Sequence, residues 1–133
     1  MKIHHIGYLV KDIEKSVPSF EELGYRIETD KVYDPLRDVD IVFMINGGYR
    51  IELVSPKSVK SPVYATLKKL GSGPYHICYI CDDIDEQAEK MRENGYIPAG
   101  ETAPAVAMSG KKVCFMFRRQ VGLIELVEAD DHL

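Results

Sequence analysis

The sequence predicts a mixed α+β fold made of two tandem β-α-β-β-β modules, and two observations carry that prediction. The chain repeats itself: His5, Ile6, Tyr8, Asp12, Ile13, Glu22, Gly24 and Tyr25 recur 71 positions later as His76, Ile77, Tyr79, Asp83, Ile84, Glu93, Gly95 and Tyr96. Further on the offset becomes 73, and Ile51-Glu52-Leu53-Val54 returns as Ile124-Glu125-Leu126-Val127. Each half also passes from a short apolar run to a helical pattern and back to strand-like runs. A duplicated supersecondary unit dictates architecture before any single-residue propensity does. The expected organisation is one domain over residues 1–133, with module one at about 1–56, a connector at about 57–73 and module two at about 74–129.

In order along each half, residues 5–10 and 76–81 are apolar-rich strand candidates, and Asp12 and Asp83 follow where a helix N-cap belongs. Ile13, Val17, Phe20 and Leu23 mark the apolar face of the first helix, and Gly24 closes it. Pro18 stands against that helix, because inside one it removes a hydrogen bond and bends the axis. The second helix places Ile84, Ala88 and Met91 on one face and stops at Gly95. Strands are then expected at 26–32, 39–46 and 49–55, with 97–99, 112–117 and 123–127 as counterparts. Asn46-Gly47-Gly48 signals a hairpin turn between two of them. The connector carries a short helical pattern, Val63, Leu67 and Leu70.

With 45% hydrophobic and 29% charged residues the chain falls in the globular class, and no apolar run approaches the ~20 residues of a membrane helix. A formal charge of −4 argues against a nucleic-acid surface, which rests on concentrated Lys and Arg. The start, Met1 to Ile6, alternates like a strand and lacks a secretory signal, so a cytoplasmic location is expected. Three cysteines without framework spacing agree with a reducing compartment. Cys78 and Cys81 are three apart on a strand, hence on opposite faces, and read as packing residues.

Strand alternation puts His5 on the face opposite Ile6 and Tyr8, and Glu52 opposite Ile51 and Leu53. If the apolar sets pack against the helices, His5 and Glu52 project to the other face, and the repeat gives His76 and Glu125 the equivalent place. A carboxylate among apolar neighbours costs several kcal/mol to bury unless it is paired, protonated or bound to metal. Two imidazoles and two carboxylates form a plausible set for a divalent Ni, Co, Mn, Fe or Zn ion. His5, Glu52, His76 and Glu125 are therefore the expected metal ligands. The neighbouring His4 points oppositely, and His132 lies near the chain end; neither is expected to ligate.

At these residues the chain resembles the glyoxalase and bleomycin-resistance superfamily, the vicinal oxygen chelate proteins. The matching marks are His5-Ile6-Gly7, Ile51-Glu52-Leu53, His76-Ile77 and Gly122-Leu123-Ile124-Glu125-Leu126. The resemblance implies two modules paired into a partly closed sheet around one metal, within one chain or across a homodimer. Two activities of that superfamily stand nearest: glyoxalase I (lactoylglutathione lyase), and methylmalonyl-CoA epimerase. Both remove a proton beside a carbonyl, so both need a positive charge there and a carboxylate base. Epimerases generally carry His-His at the third ligand and His-Pro-Lys before the last strand. Here Tyr75 precedes His76, and residues 116–120 read Met-Phe-Arg-Arg-Gln. The expectation is accordingly glyoxalase I, isomerising the hemithioacetal of methylglyoxal and glutathione, with glutathione as co-substrate and nickel as the ion, Co or Zn being alternatives. Epimerase is the alternative activity. Glu125 is the expected base, with Glu52 sharing its role. A ligand-sequestering protein is the non-enzymatic alternative, although such members generally lose the metal ligands. Arg37, Lys111, Lys112, Arg118 and Arg119 are candidate anchors for the distal anionic end of the substrate, and residues 103–112 a candidate flap.

Overall fold

The computed structural model describes residues 1–130; His132 lies outside them. The fold is mixed α+β, with ten strands and three helices among the described residues. They run β1 (Lys2–Leu9), α1 (Ile13–Glu22), β2 (Arg26–Ile27), β3 (Val32–Asp34), β4 (Val39–Asn46), β5 (Tyr49–Pro56), α2 (Tyr64–Leu70) and β6 (Gly73–Cys81). Then come α3 (Ile84–Glu93), β7 (Ile97–Pro98), β8 (Ala103–Pro104), β9 (Lys112–Arg118) and β10 (Gly122–Glu128). Among the described residues no helix is long and apolar enough to cross a membrane.

The chain forms two compact units whose limits do not coincide with the sequence repeat: residues 6–75 make one, and residues 1–5 with the described residues from 76 onward make the other. Strands β1 and β6 are each divided between them.

In the unit of residues 6–75 the strand order is β2-β4-β5-β1, with β3 also pairing β4. β1 runs parallel to β5, and β4 and β5 form a hairpin in which Asn46 pairs Tyr49. Gly47 in the two-residue turn has φ 58°, a left-handed value natural to glycine. Helix α1 starts as expected, Asp12 accepting from the Lys15 amide at 3.1 Å. It ends in a Schellman motif, Tyr25 N–H to Phe20 O and Gly24 N–H to Glu21 O. The helix runs through Pro18 for ten residues. Its core contacts are Ile13, Val17 and Phe20 against Ile6, Tyr8, Val42, Met44, Ile51 and Leu53.

Three expectations are corrected here. Leu23 is the helix C-cap and exposed, because the helix has already ended and the Schellman turn points it outward. The strand expected at 26–32 is broken at 28–31, where the Thr29 side chain accepts from the Phe43 amide in place of a backbone carbonyl. The connector helix α2 buries none of its residues, and Leu70 lies exposed at its end.

In the other unit the order is β6-β10-β9-β7, with β8 on β9. β10 is parallel to β6 and antiparallel to β9. Helix α3 is capped by Asp83, which accepts from the Glu86 amide at 3.0 Å, and closes in the same Schellman pattern, Tyr96 N–H to Met91 O and Gly95 N–H to Arg92 O. Ile84, Ala88 and Met91 pack on Cys81, Cys114, Met116, Ile124 and Leu126, as their spacing predicts.

Candidate metal centre

The helix-facing sets fix where the other side chains go. Ile124 and Leu126 lie in the core under α3, so Glu125 between them faces the opposite side of the sheet. Tyr79 and Cys81 belong to the same core, which puts His76 and Cys78 on the side of Glu125. His5, His76 and Glu125 are all buried. Nε2 of His5 lies 3.2 Å from Nε2 of His76, and each is 3.1 Å from Oε1 of Glu125. The structure thus brings three of the four expected ligands into one nearly equilateral triangle. Phe115, the cross-strand partner of Glu125, stands edge-on to the His76 ring at 5.2 Å between centroids and restricts its rotation.

Glu52 occupies the equivalent position of the other unit. It is buried on β5 between its register partners Gly7 and Phe43, as Glu125 lies between Cys78 and Phe115. Ile51 and Leu53 face the helix, leaving Glu52 on the opposite face as expected.

The triangle suits a cation. Oε1 of Glu125 is a buried oxygen with no aligned hydrogen-bond donor, although two imidazole nitrogens stand beside it. Burial pushes the Glu125 carboxyl up, but the contacts with His5 and His76 outweigh it and hold the group well below the usual carboxylate range. The side chain is therefore an anion at neutral pH. Three donors bound at about 2.1 Å to one ion stand ~3.0 Å apart at right angles and ~3.4 Å apart at tetrahedral angles. The observed separations of 3.1 to 3.2 Å fall between those limits. The donor set, two imidazoles and a carboxylate, also fits a borderline divalent ion.

Sequence reasoning missed two neighbours of this centre. Nδ1 of His4 lies 2.8 Å from Nδ1 of His5, despite the alternation that directs the two side chains apart. Cys78 is fully buried with its sulfur within 4.8 Å of ring nitrogens of His4 and His5. The first is a local choice of side-chain rotamer and the second a tertiary contact, and strand alternation alone reveals neither. Cys81 instead packs under α3 and donates to Val127 O, so the two cysteines do occupy opposite faces, and both are free thiols.

Most of the candidate anion anchors have structural employment. Arg37 pairs with the buried Asp34 at 2.8 Å, and Lys111 with Asp130 at 2.7 Å. Arg118 donates to the Asn94 carbonyl at the C-terminus of α3 and lies over the Tyr96 ring. The suggested flap is pinned rather than loose: Ala105 and Met108 are buried, and the Ala105 amide bonds Lys111 O.

Residues 4–115 match the Glyoxalase/Bleomycin resistance protein/Dioxygenase superfamily. The chain belongs to that superfamily. An ethylmalonyl-CoA/methylmalonyl-CoA epimerase of Cereibacter sphaeroides is 27% identical over 129 residues, spanning 94% of this chain and 96% of the relative. Human mitochondrial methylmalonyl-CoA epimerase is 26% identical over 131 residues, 96% of this chain and 74% of that one. The crystal structure of hypothetical protein BH1468 from Bacillus halodurans C-125 superposes with a TM-score of 0.87 at 29% identity, covering 98% of this chain and 95% of that one. These superfamily relatives turn the functional expectation toward its alternative. Lactoylglutathione lyase, glutathione as co-substrate and nickel gain no support from them, and the named relatives are epimerases. The reason is chemical: the ligand positions serve either proton transfer, and the motifs used to prefer one activity lie outside the ligand set.

Proposed function

We propose that the chain is a metal-dependent epimerase of a malonyl-type acyl-CoA, inverting the carbon between a thioester and a carboxylate. The observation that carries the reading is the buried Oε1 of Glu125 held 3.1 Å from two imidazole nitrogens, an anion-and-imidazole triangle of metal-binding dimensions. The names of the relatives supply the substrate class.

In this reading His5, His76 and Glu125 hold a divalent ion, and Glu52 is the fourth ligand. Glu52 is supported by its repeat equivalence to Glu125, by its burial, and by its pairing with Gly7, two residues beyond His5 along β1. A bound divalent ion supplies positive charge that acidifies the carbon flanked by two carbonyl groups. Glu125 takes the proton: the C–H bond breaks, its electron pair spreads into the flanking carbonyls, and the proton moves to Oε2, the oxygen not turned to the imidazoles. Glu52, protonated at the start of the turnover, gives its proton to the opposite face of the same carbon, and exchange with solvent returns both glutamates to their starting states. Atoms and charge of the substrate are unchanged, and the two glutamates exchange roles in the reverse direction. His5 and His76, buried and fixed by packing, keep Oε1 oriented and water out. A homodimer remains the proposed assembly.

The test is to strip the protein of metal, reload it separately with Co, Ni, Mn or Zn, and follow interconversion of the two stereoisomers of methylmalonyl-CoA, with deuterium wash-in at the inverted carbon. Metal-dependent inversion with one deuterium incorporated is the expected result. S-lactoylglutathione formation without inversion would return the assignment to glyoxalase I.

A further inference from the structure

On the sheet face that carries Glu52, the unit of residues 6–75 holds a second group of charges. Ile51 and Leu53 turn to the helix, so Arg50 lies on the side of Glu52, about 7 Å before it along β5. Arg50 pairs laterally with Ile45 of β4, and Ile45 with Arg26 of β2, so one row across three strands reads Arg26-Ile45-Arg50. In the next row Phe43 pairs Glu52, and the Glu28 amide bonds Phe43 O at 2.9 Å. Across β4, Nε and Nη2 of Arg50 donate to the two carboxylate oxygens of Glu28 at 2.8 and 3.0 Å. The paired side chains remain 31% and 27% exposed. Two arginines against the single carboxylate of Glu28 leave an excess of positive charge beside Glu52.

The fold does not ask for these charges. In the other unit the equivalent positions of the repeat are Ile97, Ala99 and Leu123, and they pair in the same way. Ile97 and Leu123 both pair with Phe117, and the Ala99 amide bonds Phe115 O at 2.9 Å. The same ladder is thus built there from apolar side chains.

We infer that Arg50 recognises the carboxylate of the acyl-CoA substrate, with Glu28 fixing the plane of its guanidinium and Arg26 supplying the excess charge. A guanidinium held in one plane is an oriented donor set for a second carboxylate. Arg50 is a specificity determinant: it separates malonyl-type thioesters from simple acyl thioesters, and its place on β5 sets the carbon next to that carboxylate beside Glu52. The inference rests on the epimerase reading for its ligand.

The test compares methylmalonyl-CoA with propionyl-CoA, which lacks the carboxylate, by calorimetric binding to the full chain. The natural chain should prefer methylmalonyl-CoA, and the ratio of the two affinities should fall roughly 10- to 100-fold in Arg50→Gln. Glu28→Gln breaks the same ion pair but keeps the guanidinium, and should hold the ratio within about threefold. A pair with only a structural role would respond equally to both substitutions. Arg50→Lys keeps the charge without the planar fork and should lower the ratio roughly 3- to 10-fold, so it decides the matter if Arg50→Gln does not fold. A ratio unmoved in the Arg50 variants, or an equal fall in Glu28→Gln, would overturn the inference. So would an equal loss of affinity for both esters, which places the contact on the CoA phosphates, or failure of the natural chain to bind either ester. A fall in the ratio without any stereoisomer interconversion by the natural chain would keep the role of Arg50 and reject the epimerase reading instead.

Discussion

Replacing Glu125 by glutamine changes charge and proton affinity while nearly conserving volume, so it separates two tasks assigned to one buried side chain. The first is to take a proton, which an amide cannot do. Loss of a general base costs roughly 10²- to 10⁴-fold in turnover, about 3 to 5 kcal/mol of barrier. The second task is to attract a cation. Unit charges ~3 Å apart attract by roughly 5 kcal/mol at an effective dielectric of ~20, and relief of burying the carboxylate returns part of this. A net loss of ~3 kcal/mol corresponds to about a hundredfold weaker metal binding. The assay is stereoisomer interconversion across a metal titration, alongside direct measurement of bound metal. At low metal the two losses multiply; at saturating metal only the proton-transfer deficit remains. Turnover within threefold of the natural chain at saturating metal would refute Glu125 as the base, and unchanged metal affinity would refute it as a ligand.

The same carboxyl gives a pH prediction. Its folded-state value is depressed, so the stability it contributes is present above the unfolded carboxylate range, about 4.3, and is lost as pH falls through the folded value. Acid titration of the metal-free protein by circular dichroism should show a shallower loss of stability in Glu125→Gln. The N-caps should behave as independent twins: Asp12→Ala and Asp83→Ala each cost ~1 kcal/mol in denaturant melts. Lying in separate units, they should add to ~2 kcal/mol in the double variant; strong coupling would contradict their separation. Burial, followed by the charges of Glu128, Asp82 and Asp83, pushes the Cys81 thiol up to about 11. Mass spectrometry after iodoacetamide at pH 8 should find Cys81 unmodified in the native protein and modified in denaturant. Leu126→Ala, at a fully buried site under α3, should cost ~2 to 5 kcal/mol; a loss below 1 kcal/mol would mean that the core relaxes around it.

The repeat made much of the fold legible, because it doubled every weak local signal. Asp12 with Asp83, and Gly24 with Gly95, marked both helices to within a residue, and the alternation around Glu52 and Glu125 assigned their faces correctly. What stayed hidden needed long-range geometry. Leu23 and Leu70 sit in apolar phase with their helices, yet a helix that stops early or fully buries none of its residues leaves them in solvent. Thr29 breaks a strand through a side-chain bond that no propensity scale contains. In the centre, the residue types announced His5, His76 and Glu125, whereas the edge of Phe115 against His76 arises only once strands are registered. Substrate choice was the least legible feature, since proton abstraction beside a carbonyl asks for the same ligands whatever group carries the carbonyl.

The boundary between the compact units falls inside β1, immediately after His5. By ancestry in the repeat, His5 belongs to the first half of the chain; by contact, it belongs with His76 and Glu125 of the second. A gene severed at the midpoint would therefore yield no half that owns a complete triangle. Two separately made fragments could regain it only by trading the leading segment, in the manner of complementing halves of a split reporter. A missense change at codon 5 would surface biochemically as a defect of the other repeat.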